Sequence, residues 1–162
     1  MVKILIAYAS KHGATEGIAK AIGDTFKKQR YQVDVFKVES VKSLEDYDAV
    51  LIGSGIYAGN WLKQAKIFIE KFGNDLKDLP VWLFSSGPVG DPLKPQDNKA
   101  VNIDELIKNI NIKEHKIFAG KIDNSQLGIG EKLITKALRV PYGDYRNWPA
   151  IETWANDIAK SL

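Results

Sequence analysis

Five apolar runs rich in β-branched residues, separated by longer segments, constrain the fold of this chain more than any other feature. Three of the runs, at 2–8, 48–55 and 80–87, are almost continuously apolar. Such runs are typical of parallel strands that helices cover on both faces. The run at 32–38 alternates, as expected of an outer strand, and a fifth run lies at 115–122. The sequence therefore predicts five strands.

The segments between these runs carry apolar residues at the spacing of one helix face. Four such groups span 18–26, 61–72, 103–110 and 151–158. Asn147 precedes the last group and is its expected N-cap. Alternating strands and helices imply right-handed crossovers and a parallel sheet, and a chain of 162 residues favours an open sheet over an eight-stranded barrel.

The expected architecture is a three-layer α/β fold with a five-stranded parallel sheet in the order 2-1-3-4-5 and helices on both faces. This order opens a crevice at the carboxyl ends of the strands, where the direction of sheet growth reverses and ligands bind. A chain of this length suits one domain over 1–162.

Composition narrows the chemistry further. The chain contains no cysteine, which excludes disulfides, thiolate metal ligands and a cysteine nucleophile. Two distant histidines, at 12 and 115, indicate neither a metal site nor a hydrolytic triad. A net charge of +3 does not indicate nucleic-acid binding. The absence of a leader pattern and of a long apolar stretch favours a cytoplasmic protein without a transmembrane segment, and peripheral membrane contact stays open.

The turn "SKHGAT" follows the first predicted strand and leads into the first helix. Backbone N–H groups and the helix dipole favour an anion at such a turn. Ser10 and Thr15 supply hydroxyls, Gly13 permits close backbone approach, Ala14 leaves the turn unobstructed, and His12 is able to neutralise phosphate charge. The turn lacks a P-loop pattern and favours a monophosphate, although ordinary helix capping also selects these residue types.

Two further glycine-rich segments end the third and fourth predicted strands. In "GSGIYAGNW", Gly55 and Gly59 are expected to adopt unusual backbone conformations, and Tyr57 is expected to lie flat on a planar ring. Trp61 is expected to begin the apolar face of the following helix. The segment "FSSGPVGDP" adds small residues at the next strand end, where an ordinary Gly-Pro turn is the alternative. Three such loops together favour a planar cofactor with a phosphate tail.

These three segments resemble the flavodoxin-like superfamily, and the similarity extends over essentially the whole chain. The segment beginning at Gly53 and the tail "YGDYRNWPAIETWANDIA" more narrowly resemble the branch that contains menaquinone-dependent protoporphyrinogen IX dehydrogenases. The resemblance implies flavin mononucleotide (FMN) as cofactor. Its implied binding residues are Ser10, His12, Gly13, Ala14 and Thr15 for the phosphate, Gly55, Ile56, Tyr57, Ala58 and Gly59 beside the isoalloxazine, and Ser86, Gly87, Pro88 and Val89 at its polar edge.

The resemblance implies an oxidoreductase or electron carrier in which N5 of the flavin, and no catalytic side chain, carries the chemistry. A quinone-dependent protoporphyrinogen IX dehydrogenase is the alternative, and a flavin-free phosphate-binding or interaction module is a third. Expected partners are a redox protein, a quinone or a porphyrinogen. Lys132, Lys136 and Arg139 are a candidate surface for such a partner, unless their segment is a helix that only packs on the sheet edge.

Overall fold

The computed structural model describes residues 1–57, 59–87, 103–122 and 143–162 of the chain. Strands and helices alternate through most of these ranges. In chain order the elements are β1 (Lys3–Ala9), α1 (Ala14–Lys28), β2 (Gln32–Lys37), a 3-10 turn (Val38–Ser40), β3 (Ala49–Tyr57), β4 (Asn60–Trp61), α2 (Lys63–Lys71), α3 (Gly73–Leu76), β5 (Val81–Ser86), α4 (Asp104–Ile107), β6 (Ile112–Phe118), β7 (Lys121–Ile122), β8 (Gly143–Asp144) and α5 (Trp148–Ser161).

The main sheet has the strand order β2-β1-β3-β5-β6, and all four pairings along it are parallel. These five strands correspond to the five apolar runs, so the predicted order 2-1-3-4-5 is confirmed. A sixth strand, β4, pairs antiparallel with the end of β3 and was not predicted. The short strands β7 and β8 pair with each other in a separate two-stranded sheet.

Helices cover the main sheet on both faces, and each face has its own apolar core. Neighbouring residues of β1 point to opposite faces. Leu5 packs in the core that contains Phe68 of α2, whereas Ile6 packs in the core that contains Ile22 of α1 and Ile158 of α5. This double coverage explains why the central strands are continuously apolar. Each fully buried large aliphatic side chain contributes roughly 1.5–3 kcal/mol to folding.

The outer strand β2 does not alternate strictly between buried and exposed residues. Among the described strands it pairs only with β1, and none of its residues is fully buried. Phe36 is 41% exposed, and Asp34 at the same edge forms an ion pair with Lys3 and accepts a hydrogen bond from the Tyr47 hydroxyl. These polar contacts are consistent with an edge position.

Two predicted boundaries were wrong. The last strand of the main sheet begins at Ile112 and not at His115, because Ile112 and the charged residue Glu114 pair with β5, with a register irregularity at the charged residue Lys113. An outer strand tolerates such residues, since part of each face remains accessible to water. The predicted helix at 103–110 contains only the four helical residues Asp104–Ile107.

The prediction that Trp61 begins the following helix was also wrong. It is buried in the α2-side core as expected, but it belongs to β4 and pairs with Ile56, and α2 begins at Lys63. The Leu62 N–H donates to Ser54 Oγ at 3.0 Å, so this part of the chain is held against β3 before the helix begins. Pairing with the sheet therefore replaced the first predicted helical turn.

The last helix begins as predicted. The Asn147 side chain accepts a hydrogen bond from the Ala150 N–H at 3.1 Å, and Pro149 occupies the first turn, where its missing N–H costs nothing. Within the described ranges, no helix is both long enough and apolar enough to cross a membrane.

Candidate functional site

The carboxyl ends of β1, β3 and β5 lie side by side at one edge of the sheet. Ala9 is in register with Ser54, and Gly55 is in register with Ser86. The turn after β1, the loop after β3 and the residues after β5 therefore emerge together, as predicted from the strand order. These three segments form the candidate site.

The turn between β1 and α1 is shaped by Gly13. This residue has φ +89°, a left-handed conformation that side chains with a Cβ rarely adopt, and it is the N-cap of α1. Its N–H donates to Ser10 Oγ at 2.9 Å, and its carbonyl accepts from the Gly17 N–H at 3.1 Å. Because glycine has no side chain to cap the helix, the first-turn N–H groups of α1 remain suited to an external anion.

Thr15 is the most informative residue of this turn. Its side chain is 1% exposed, yet its hydroxyl makes no hydrogen bond to another residue of the described ranges. A buried polar group without a partner costs roughly 1–3 kcal/mol. A ligand atom that accepts a hydrogen bond would remove this cost. The turn at 10–15 therefore fits a phosphate group.

Gly55 lies directly against Thr15. A Cβ built on Gly55 would approach Thr15 Oγ1 to 3.3 Å, so the missing side chain leaves room at the turn. The prediction of an unusual backbone conformation for Gly55 was wrong, because its φ is not positive. The same prediction is confirmed for Gly59, whose φ is +77°. Glycine is thus required at position 55 for the close approach to Thr15, and at position 59 for the left-handed backbone conformation.

The loop after β3 presents an aromatic ring. Tyr57 pairs with Asn60 across the β3–β4 hairpin and is 41% exposed. The ammonium group of Lys11 lies 3.9 Å from the centroid of the Tyr57 ring, which is close enough for a cation–π interaction. One face of this exposed ring is thereby held near the β1–α1 turn. Lys11 was not a predicted site residue, although it lies within "SKHGAT".

The end of β5 provides the third segment. Ser86 is 5% exposed, and Gly87 has φ +109° and donates its N–H to the Phe118 carbonyl at 2.9 Å. A Cβ on Gly120 would lie 3.1 Å from the Gly87 nitrogen, so Gly120 permits this close approach. Gly120 was not a predicted site residue. Its position at the end of the fifth apolar run was the available signal.

A polar cluster of Trp61, Ser85 and His115 adjoins two of these segments, with Trp61 and Ser85 buried and His115 half-buried. The Trp61 Nε1–H donates to Ser85 Oγ at 2.8 Å, and Ser85 Oγ lies 2.6 Å from His115 Nε2. Burial lowers the pKa of His115 to about 4, against the opposing effect of the Asp104 charge, so the ring is neutral at pH 7. His115 lies within β6, where it links the sheet to the β3–β4 hairpin.

The segment that precedes α5 carries Arg146, whose guanidinium lies against the first turns of α1. Arg146 forms a bidentate ion pair with Asp144, which holds the pKa of that carboxyl below its usual value, and its guanidinium lies 4.6 Å from the centroid of the Trp148 ring. A Cβ on Gly17 would lie 2.5 Å from the Arg146 guanidinium. Gly17 thus allows the guanidinium to lie close to α1.

Comparison with known proteins decides the family. Residues 5–146 match the family model described as "Flavodoxin domain". The chain belongs to the flavodoxin domain family. This match covers most of the chain and includes all three segments of the candidate site.

Two relatives with assigned names match parts of this flavodoxin domain. "Probable flavodoxin 1" of Bacillus subtilis (strain 168) is 35% identical over 107 residues, which are 64% of this chain and 66% of that protein. "Protoporphyrinogen IX dehydrogenase [quinone]" of Escherichia coli (strain K12) is 29% identical over 86 residues, which are 52% of this chain. The match spans 48% of the dehydrogenase.

Solved structures support the same fold. The crystal structure of oxidised flavodoxin 1 from Bacillus cereus superposes with a TM-score of 0.68, covers 99% of each chain and is 16% identical in sequence. Identity at this level supports the fold alone. The flavodoxin-like α/β architecture predicted from the sequence is therefore confirmed.

Several predicted site residues of this flavodoxin domain lie outside the described residues. Of the expected flavin-binding set, the structure places Ser10, His12, Gly13, Ala14, Thr15, Gly55, Ile56, Tyr57, Gly59, Ser86 and Gly87 in the three neighbouring segments. The residues outside the described ranges are Ala58, Pro88, Val89, Lys132, Lys136 and Arg139. The binding role of every residue in both groups stays a prediction.

Proposed function

We propose that the protein is an FMN-binding redox protein that exchanges electrons with a partner molecule. The observation that carries this proposal is the buried hydroxyl of Thr15, which lacks a partner among the described residues at the N-terminus of a 15-residue helix. A phosphate group would satisfy both the hydroxyl and the first-turn N–H groups. Membership of the flavodoxin domain family supports a flavin as the rest of the ligand.

Each segment has a distinct part in this proposal. The turn with Ser10, His12, Gly13, Ala14 and Thr15 would hold the phosphate by hydrogen bonds and by the positive end of α1. The loop at 55–59 would flank the isoalloxazine, with the exposed Tyr57 ring against it. Ser86, Gly87, Pro88 and Val89 would line the polar edge of the ring.

The bound flavin would supply the redox chemistry, since its ring accepts and donates electrons or hydride. The protein would bind the flavin, orient its ring and set the electrostatic environment around it. Lys11, held over Tyr57, would add positive charge beside the ring site. In this proposal no side chain acts as a catalytic acid, base or nucleophile.

Identifying the cofactor tests the proposal directly. The purified protein should show a flavin absorption spectrum, and mass analysis of the released ligand should give FMN. Protein stripped of ligand should bind FMN at one site and bind riboflavin more weakly, because riboflavin lacks the phosphate. Equal affinity for the two flavins would contradict the placement of phosphate at residues 10–15.

A second candidate function is that of a quinone-dependent protoporphyrinogen IX dehydrogenase, which the local similarity to the Escherichia coli enzyme favours. A flavodoxin-type carrier is favoured by the longer match to the Bacillus subtilis protein. Stopped-flow oxidation and reduction of the bound flavin would separate them. Rapid flavin reduction by porphyrinogen with reoxidation by quinone supports the enzyme, whereas rapid exchange with redox proteins alone supports the carrier.

A further inference from the structure

The cluster of Trp61, Ser85 and half-buried His115, here called the brace, joins three strands next to the segments expected to hold the ring. Its members belong to β4, β5 and β6. Two hydrogen-bonding distances of 2.8 and 2.6 Å connect them through Ser85, and the Trp61 and His115 rings meet edge to face with centroids 5.7 Å apart. The brace therefore links β4, β5 and β6, which are distant from one another in sequence.

The brace is attached to two of the three segments that form the site. Trp61 pairs with Ile56, so it closes the hairpin that carries Tyr57. Ser85 directly precedes Ser86, which begins the segment expected at the polar edge of the ring. The hydrogen bonds of the brace do not include residues 10–15 of the phosphate turn. The brace thus acts on the ring side of the site.

The donors and acceptors of the brace require a neutral histidine. The indole of Trp61 only donates, so Ser85 Oγ accepts from it. The arrangement that satisfies all three groups has the Ser85 hydroxyl donating to an unprotonated Nε2 of His115, with the ring proton on Nδ1. Protonation of Nε2 would direct a second donor at Ser85. The serine hydrogen would then lose its acceptor at a completely buried position.

The surroundings of His115 favour this neutral form. Burial lowers the pKa of His115 to about 4, and the carboxylate of Asp104 in α4 opposes the shift. Leu83, the register partner of His115 in β5, does not titrate, and neither Ser85 nor Trp61 changes charge in this pH range. The adjacent residues Glu114 and Lys116 point to the opposite face of the strand.

We propose that neutral His115 is a positioning residue for the isoalloxazine ring, acting through Ser85 and Trp61 on the described residues 55–57 and 86–87 of two of the site's segments. The proposal rests on the FMN-binding function proposed above and concerns the ring rather than the phosphate. Loss of the neutral histidine releases the constraint on both loops and weakens ring binding. The phosphate turn, which belongs to β1 and α1, retains its contacts.

Riboflavin is the appropriate probe because it contains the ring without the titrating phosphate. Fluorescence titrations would compare the parent protein with His115→Phe, which keeps an aromatic ring but removes the acceptor, and His115→Gln, which keeps an amide oxygen as acceptor. At pH 7, we expect His115→Phe to weaken riboflavin and FMN by the same factor, at least fivefold. His115→Gln should retain most of the affinity.

The pH dependence of riboflavin binding distinguishes a positioning role from a purely structural one. A purely structural role of His115 would leave this dependence the same in the parent and in His115→Gln. For a folded-state pKa of about 4, roughly a quarter of the molecules keep a neutral His115 at pH 3.5. The riboflavin dissociation constant of the parent should therefore rise about fourfold between pH 6 and pH 3.5. His115→Gln should show no such rise, and circular dichroism at each pH would verify that both proteins remain folded.

Glu114→Ala is the matched control. It removes the carboxylate that accepts a 3.0 Å hydrogen bond from Trp154, on the same strand but on the opposite face of the sheet. Flavin affinity should not change in this variant, whatever its stability.

Unchanged riboflavin affinity in His115→Phe, or identical pH profiles for the parent and His115→Gln, would overturn the proposal. If His115→Phe does not fold, the comparison of the two pH profiles decides alone. Failure of the FMN-binding function gives a different result, because the parent protein would then bind neither flavin at pH 7. That result would contradict both proposals.

Discussion

Replacing Thr15 with Val gives opposite effects on the stability of the flavin-free protein and on FMN binding. The Thr15 hydroxyl is buried and has no hydrogen-bond partner among the described residues. Valine keeps the branched shape while removing a polar group that folding must desolvate. The free energy of unfolding without ligand should therefore stay constant or rise by up to about 1 kcal/mol.

FMN binding should respond in the other direction. If Thr15 donates to the phosphate, the variant loses a charge-assisted hydrogen bond that is worth about 1.5–3 kcal/mol. This loss corresponds to an FMN affinity lower by a factor of roughly 10 to 150. The riboflavin affinity should change less than threefold, since riboflavin carries no phosphate. Isothermal titration calorimetry with both flavins, together with urea unfolding of the ligand-free protein, measures the two effects.

Thr25→Val is the matched control within the same helix. Thr25 is also buried, but its hydroxyl donates to the Ala21 carbonyl at 3.0 Å. Its replacement should lower stability by about 0.5–1.5 kcal/mol and leave FMN affinity unchanged. If Thr15→Val destabilises the ligand-free protein as Thr25→Val does and binds FMN as tightly as the parent, the Thr15 hydroxyl does not hold the phosphate.

Three further changes test other parts of the structure. Tyr57→Ala should weaken both flavins by about 0.5–1.5 kcal/mol and increase the fluorescence of the bound flavin, whereas an unchanged emission yield would place Tyr57 away from the ring. Gly53→Ala would place a Cβ closer to the buried Phe84 ring than contact distance, so urea unfolding should show a free energy of unfolding lower by about 1–3 kcal/mol. Gly73→Ala is the control, because the Cβ there would enter open space. Because the pKa of His115 is about 4 in the folded protein and near 6.5 in the unfolded chain, the unfolded chain binds more protons between these values. His115 alone should lower the unfolding free energy of the ligand-free parent by about 2–3 kcal/mol from pH 6.5 to pH 4, so the measured fall should be smaller in His115→Gln.

The predicted strands and their order were confirmed because local patterns and chain connectivity are sufficient to specify them. Continuous apolar runs require coverage on both faces, and helices between parallel strands require right-handed crossovers. The position of the candidate site followed from the same topology, and the turn around Gly13 followed from residue type alone. For these features, each local preference agreed with the global fold.

The errors occurred where partners distant in sequence decided the outcome. Trp61 fits a helical repeat, but pairing with Ile56 and a hydrogen bond to Ser85 placed it in a strand. In the sequence, His115 is the first residue of an apolar run. The pairing of Ile112 and Glu114 with β5 places it in the middle of β6. Periodicity contains no information about such partners.

The amino-acid sequence by itself determined the alternation of strands and helices, the family and the three loops that converge on one sheet edge. Only the tertiary structure decided that Thr15 is buried without a hydrogen-bond partner in the described ranges, that Gly55 leaves space for it and that Trp61, Ser85 and His115 form one cluster. The physical reason is that burial and hydrogen bonding depend on atoms brought together by folding from separate strands, whereas propensity and periodicity act between neighbours along the chain.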